Sequence, residues 1–259
     1  MVKPAINFRR HLLSPGTVGL RVAGRGMMTM NRLFALNRWL GWLTLSLLAA
    51  ALWLVFTAPV DYQQGNSVRI LYMHVPSAKM ALFVYIALTL FSAWHLWKKS
   101  ETADILAEAS APVGAAFALV TLVSGSIWGK PMWGTWWAWD ARLTSMLVLL
   151  ILYMGVIALR NGIDDPIKGG RATAILAIFG AIDLPIIHFS VSWWRTLHQP
   201  PSFGQASTGS TITGPLLPPL VWMSVAFIFL GTYLVILKAR EIRGRKILEN
   251  LETERTSHA

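Results

Sequence analysis

Apolar residues in this chain gather in long blocks, with neither the alternation of a strand nor the three-to-four spacing of an amphipathic helix. Six blocks come close to the roughly 20 residues that carry a helix across about 30 Å of hydrocarbon. They are Trp39–Ala58, Met80–Trp97, about Ser110 to Trp128, Leu143–Leu159, Ala172–Trp194 and Leu216–Leu237. The pattern predicts an all-α integral membrane protein with six transmembrane helices. The third block is rich in Gly, Ala and Ser, which lets neighbouring helices approach closely. The organisation read from this is a basic segment 1–38, a six-helix domain 39–237 and a charged tail 238–259. Segment 1–38 lacks the apolar run and small-residue cleavage site of a signal peptide, so the first block is expected to stay as an anchor. Met27, Met28 and Met30 allow a natural start later than Met1.

Composition agrees with the blocks. The chain has 259 residues, 54% of them hydrophobic and 14% charged, where soluble domains average about 25% charged. Mean hydropathy is +0.51. There is no cysteine, which excludes disulfides, iron–sulfur clusters, thiolate metal sites and a covalently held c-type haem, which needs C-x-x-C-H. No segment reads GxxxxGK[ST], so the chain has no P-loop nucleotide site of its own.

Charge adds an orientation. The net charge is +11, from 23 Lys+Arg against 12 Asp+Glu. With the N-terminus in the cytoplasm, 18 of the 23 basic residues fall on that side. They lie before Trp39, at Lys98 and Lys99, between Arg160 and Arg171, and after Leu237. Only Arg69, Lys79, Lys130, Arg142 and Arg195 fall on the other side. That split follows the positive-inside rule and places both termini in the cytoplasm. The basicity is therefore a topology signal spread over four segments, and no nucleic-acid role is read from it. The outward loops are Pro59–Lys79, Gly129–Arg142 and Arg195–Pro215; the cytoplasmic loops are short and bland.

The candidate chemistry lies outward, with a periplasmic Trp-rich loop between helices 3 and 4. Of 13 Trp in the chain, five fall in twelve residues: Trp128, Trp133, Trp136, Trp137 and Trp139, with Gly134 among them. An interfacial belt needs one or two rings per helix end. Five rings in a Gly- and Pro-containing loop form a flat apolar wall suited to a large planar ligand such as haem. Two histidines flank it. His74 precedes Pro76, read as the first residue of the second helix, and His188 lies near the outer end of the fifth block. The pair reads as two axial ligands of one haem iron. His198 is an alternative ligand. His95, between Trp94 and Trp97 at the far end of the second block, reads as a belt residue, and His11 and His258 lie in the tails.

Haem propionates need cations. Arg142 and Arg195 are the leading candidates, because His188, Ser192 and Arg195 share a helical face. Asp140 is positioned as the N-cap of the fourth helix or as an acceptor behind a ligand. Asp183 is the one formal charge deep in a span, and no role follows for it from position alone.

The run Trp128–Arg142 resembles the tryptophan-rich WWD signature of the haem-handling proteins of cytochrome c maturation. Asp61–Ser67, Met73-His74-Val-Pro76 and Leu184-Pro-Ile-Ile-His188 narrow the likeness to the haem exporter protein C (CcmC) family. The likeness covers roughly residues 58–198 and all six spans; the N-terminal stretch is longer than the family leads one to expect. The resemblance implies haem b held non-covalently and transiently at the periplasmic face of the bacterial inner membrane. It implies delivery to the haem chaperone CcmE, in a complex with transporter subunits CcmA and CcmB and the small protein CcmD.

Three function classes remain distinct at this point. The leading one is a non-enzymatic haem-binding and haem-transfer protein in c-type cytochrome biogenesis. A haem lyase that attaches haem to apocytochrome is the second; relatives of that kind carry more spans and usually further histidines. A pore-forming haem permease subunit is the third, and only Asp183 interrupts the apolar spans in its favour.

Overall fold

In the computed structural model, the described residues are 37–194, 197, 198, 212 and 214–257. All regular structure among them is helical: α1 (Asn37–Thr57), α2 (Val68–Lys98), α3 (Glu101–Trp133), α4 (Ala141–Gly162), α5 (Pro166–Gly180), α6 (Asp183–Trp193) and α7 (Leu217–Ser257). With α5 and α6 counted as one interrupted crossing, six helices are long and apolar enough to span a membrane. Arg195, residues 1–36 and most of the Arg195–Pro215 loop lie outside the described residues.

The helix ends follow local chemistry. Ser100 caps α3 by accepting from the Ala103 N–H at 3.3 Å, with Glu101 and Asp104 in the first turn at the positive end of the helix dipole. Asp165 caps α5 ahead of Pro166, which suits the first helical position because it has no N–H to leave unpaired. Gly134 ends α3 in a left-handed conformation, φ +77°, a region open to glycine. The interruption between α5 and α6 has a visible cause. Pro185 cannot donate to the Ala181 carbonyl, and its ring crowds that carbonyl. Leu184 N–H reaches Ala181 O instead, at 3.2 Å, and the chain turns through Ala181 and Ile182.

Two helices run well past their apolar blocks. At 1.5 Å per residue, the 31 residues of α2 and 33 of α3 span about 46 and 50 Å. Pro76 therefore does not begin α2, as the sequence suggested, but lies inside it, and His74 stands in its second turn. Likewise Trp128 and Trp133 belong to α3, so the Trp-rich loop shortens to residues 134–140. α7 continues unbroken from its span into the charged segment after Leu237.

The core forms around α3, which packs against α2, α4 and α7. Small residues make this possible: Ala107, Ala111, Gly114, Ala115 and Ala118 are buried along it. A Cβ on Gly114 would overlap the ring of Tyr153 on α4. That ring lies edge-on to Tyr85 at 4.9 Å, and its hydroxyl donates to the Ala81 carbonyl of α2 at 2.7 Å. One tyrosine thus joins three helices. The far end of the bundle is not bland. Arg160 donates two hydrogen bonds to Asp104, at 2.9 and 2.8 Å, and lies 2.7 Å from Glu108. Arg245 pairs with Glu108 and Lys246 with Asp104, which clamps α7 onto α3 and α4.

Candidate functional site

His74 is held by α3. Its Nδ1 lies 3.1 Å from the Thr121 carbonyl and 3.1 Å from Ser124 Oγ. A carbonyl only accepts, so Nδ1 carries the proton and donates. The Ser124 hydroxyl is itself committed as a donor to Val120 O at 2.6 Å. In the neutral ring Nε2 then keeps its lone pair, the form an imidazole needs to bind a metal. Gly125 makes room for the ring: a Cβ there would stand 2.9 Å from Cε1 and 3.4 Å from Nδ1. Trp128 meets the imidazole edge-on, with centroids 5.7 Å apart and planes at 66°. Its indole N–H donates to Gln64 Oε1 at 3.0 Å.

The last turn of α3 and its loop are folded back on themselves. Gly129 leaves space for the Trp133 ring. Ser126 Oγ donates to Trp136 O at 2.8 Å, and Lys130 Nζ to Gly134 O at 3.1 Å. Trp137 and Trp139 meet edge-on at 5.4 Å. Trp136 and Trp139 are 57% and 78% exposed.

Asp140 performs both roles that its position allows. Oδ1 accepts from Leu143 N–H at 2.8 Å and caps α4, while Oδ2 lies 3.3 Å from His198 Nδ1. Burial pushes this carboxyl up. The hydrogen bond from His198, the Leu143 N–H, the charge of His198 and the Leu197 N–H outweigh burial and hold it below the usual carboxylate range. His198 also packs on Trp133, with ring centroids 5.0 Å apart. The Arg142 Nε–H donates to Ser190 Oγ on α6 at 3.2 Å. His188 sits on α6 edge-on to Phe189 at 4.7 Å, and its ring makes no hydrogen bond among the described residues.

Several of these groups border one cavity of about 470 Å³ between α2, α3, α4, α6 and α7, within the span usual for small-molecule sites. His74, His188, His198, Trp128, Trp133, Arg142 and Lys79 all line it, among apolar residues such as Val75, Leu82, Phe83, Met132 and Met146. A smaller recess of about 50 Å³ is lined by His74, His198 and Arg142 but not by His188. Of the residues expected from sequence, Gly134, Trp136, Trp137, Trp139 and Asp140 are not in the cavity wall.

A family model described as Heme exporter protein C matches residues 23–254. The chain belongs to that family. It is 46% identical over 209 residues to the heme exporter protein C of Bradyrhizobium diazoefficiens, covering 80% of this chain and 79% of that one. The protein of the same name from Escherichia coli K12 is 44% identical over 216 residues, 82% and 86% of the two chains. That of Haemophilus influenzae is 45% identical over 199 residues, 76% and 80%.

Three site features of this heme exporter protein C family member were not drawn from its sequence. Gln64 reaches Trp128 from 64 residues away, and Asp140 reaches His198 from 58. Gly125 clears the space for His74. The one available signal was chemical: a histidine near a capping aspartate in the outer loops is a ready metal-ligand pair.

Proposed function

We propose that this chain binds haem in the three-histidine cavity on the periplasmic side of the inner membrane. It then passes the haem to a periplasmic chaperone, CcmE, in c-type cytochrome biogenesis. It works as a carrier and not as an enzyme, in a complex with CcmA, CcmB and CcmD. The family membership supports haem export, and the 18-of-23 distribution of basic residues supports the orientation. Haem b is held without a covalent bond, and the lack of cysteine removes the thioether route.

The observation that carries this reading is that three imidazoles meet in one mostly apolar cavity, two of them with Nδ1 committed to an oxygen. His74 and His198 are the axial ligands. The sequence favoured His188 as partner to His74, but the Asp140 carboxylate behind His198 is the outer-shell acceptor that a ligating histidine uses. His188 contributes wall area. Trp128 and Trp133 supply ring contact inside, Trp136, Trp137 and Trp139 extend apolar surface outward at the mouth, and Arg142 meets a propionate. Arg195 is expected to assist as a second rim cation.

The test is the visible spectrum of the detergent-purified chain from haem-replete cells. A Soret band with low-spin features is expected in the wild type. It should survive His188→Ala, weaken in His74→Ala or His198→Ala, and vanish in the double variant. An unchanged spectrum in that double variant overturns the ligand assignment. A reporter active only in the periplasm, fused after Ala259, should be silent; activity reverses the orientation.

A further inference from the structure

We infer that Gln64 is a positioning residue for His74, acting through the Trp128 indole; this rests on the reading that His74 ligates haem iron. The juxtaposition is a relay of three side chains from three separate parts of the fold. Gln64 lies in the turn between α1 and α2, Trp128 near the end of α3, and His74 on α2.

The turn that carries Gln64 is closed from both sides. Asp61 Oδ1 accepts from the backbone N–H groups of Gln63 and Gln64, at 3.0 and 2.8 Å. Asp61 and Gly65 exchange backbone hydrogen bonds of 3.3 and 2.9 Å, and Gly65 adopts φ +57°, which glycine takes without strain. The Gln64 carbonyl accepts from Ser67 N–H at 3.1 Å, just before α2 begins. Such a turn needs no packing of its own side chains, and Tyr62 is 90% exposed. Gln64 is half-buried, and its Oε1 accepts from the Trp128 indole N–H at 3.0 Å.

The effect on His74 is geometric. The Nδ1–H···O bond to Thr121 anchors one ring atom, but an imidazole held at one atom still swings about that bond. Gly125 leaves room at Cε1, and the edge of Trp128 limits the swing on its side. The indole is held in turn by its packing beside Val75 on the cluster that includes Val55, Leu71, Leu220 and Met223. Packing alone leaves an indole free to rock about its side-chain torsions, and its single N–H donor fixes the plane only when it has a placed acceptor. Gln64 is that acceptor. The relay therefore sets the plane of the His74 ring, and with it the direction of Nε2.

The test is a double-variant cycle on the full-length chain in detergent, read by haem titration at the Soret band and by electron paramagnetic resonance of ferric low-spin haem, whose anisotropy reports the imidazole planes. Gln64→Leu keeps bulk and removes the acceptor; Gln64→Met is the second choice if Leu lowers insertion. Trp128→Phe keeps a ring and removes the donor. Gln64→Leu is expected to weaken haem binding about 2- to 10-fold, the factor that one net hydrogen bond is worth; Trp128→Phe, which also gives up indole area in the cavity wall, should weaken it at least as much, and both should shift the low-spin signal. The combined variant should be no worse than the weaker single one, and Gln64→Glu, which keeps an acceptor, should stay near wild type. Unchanged affinity and signal in Gln64→Leu, or full additivity in the pair, overturns the relay. If His74→Ala keeps the wild-type haem signal, the ligand assignment has failed, whatever the Gln64 variants do.

Discussion

Asparagine at position 140 separates the two contacts of one carboxylate. In the wild type Oδ1 caps α4 through Leu143 N–H at 2.8 Å, and Oδ2 faces His198 Nδ1 at 3.3 Å, with the side chain only 8% exposed. Asn is as good an N-cap as Asp, so Asp140→Asn keeps the start of α4. The charge it removes next to the helix N-terminus is worth about 0.3–1 kcal/mol. At Oδ2, however, an amide NH₂ would meet the N–H of His198, donor against donor. His198 then loses its acceptor and its fixed tautomer. Loss of an outer-shell partner costs about 10–100-fold in metal affinity, or about 1.4–2.8 kcal/mol. Asp140→Ala should show the same haem loss and a further ~1 kcal/mol of instability from the missing cap.

Haem titration at the Soret band measures the first effect, and thermal unfolding of the haem-free protein the second. Wild-type affinity in Asp140→Asn with loss in Asp140→Ala would reduce the residue to a cap. Wild-type affinity in both would remove His198 as a ligand. A pH scan adds a third arm. The Asp140 carboxyl is held below its usual range, so its contribution is present above the unfolded value of about 3.9. That contribution is lost only as pH falls through the lower folded value. The cap should be intact from pH 5 to 8 and weaken below about pH 4. Circular dichroism should show this acid-induced loss in the wild type and not in Asp140→Asn.

Three other outcomes are expected. Gly125→Ala would place a methyl 2.9 Å from His74 Cε1; haem binding should fall while the protein still inserts, and an unchanged Soret band refutes the fit. Gly114→Ala would drive a methyl into the Tyr153 ring, an overpacking that costs about 1–3 kcal/mol and should lower the unfolding temperature; an unchanged temperature would mean that α3 and α4 separate freely. Arg160→Ala would leave Asp104 and Glu108 with only Lys246 and Arg245. Each carboxylate keeps one cation, so the loss is that of hydrogen bonds to charged groups, about 1.5–3 kcal/mol; stability should drop in thermal unfolding, with haem affinity near wild type because the cluster lies at the other end of α4 from Arg142.

The spans were legible because a bilayer crossing leaves a signal in each residue, and six apolar blocks became six crossings. What lay beyond the blocks was not. Residues 68–79 mix polar and apolar positions, and they are helical because they pack along α3. Pro76 read as a start signal, yet α2 had already begun eight residues earlier. Gly129 and Pro131 looked like loop residues, but Gly129 serves the Trp133 ring and the helix stops only at the left-handed Gly134. The break at Ala181 was visible in principle, since Pro185 forbids the bond to that carbonyl. Asp140 was read correctly as cap or acceptor, but the sequence could not show that its two oxygens let it be both.

Under the proposed assignment, the choice between His188 and His198 turns on contacts that sequence position does not carry. His188 stood in a well-marked helix near the membrane surface, and His198 in a loop of no pattern. A metal ligand is selected by what holds its other nitrogen, and that partner is a tertiary contact. Thr121 on α3 supplies it for His74, and Asp140 at the head of α4 supplies it for His198. Both partners are backbone or cap groups whose positions the helices already fix, so the two histidines of the proposed site inherit the rigidity of the bundle. Polar groups of this kind are costly within hydrocarbon. The extension of α2 and α3 beyond their apolar blocks resolves the conflict. It carries His74 and Trp133 past the blocks on continuous helix, while Trp128 at the block's end reaches the outer turn through Gln64, and His74 turns back to Thr121 and Ser124 inside the third block.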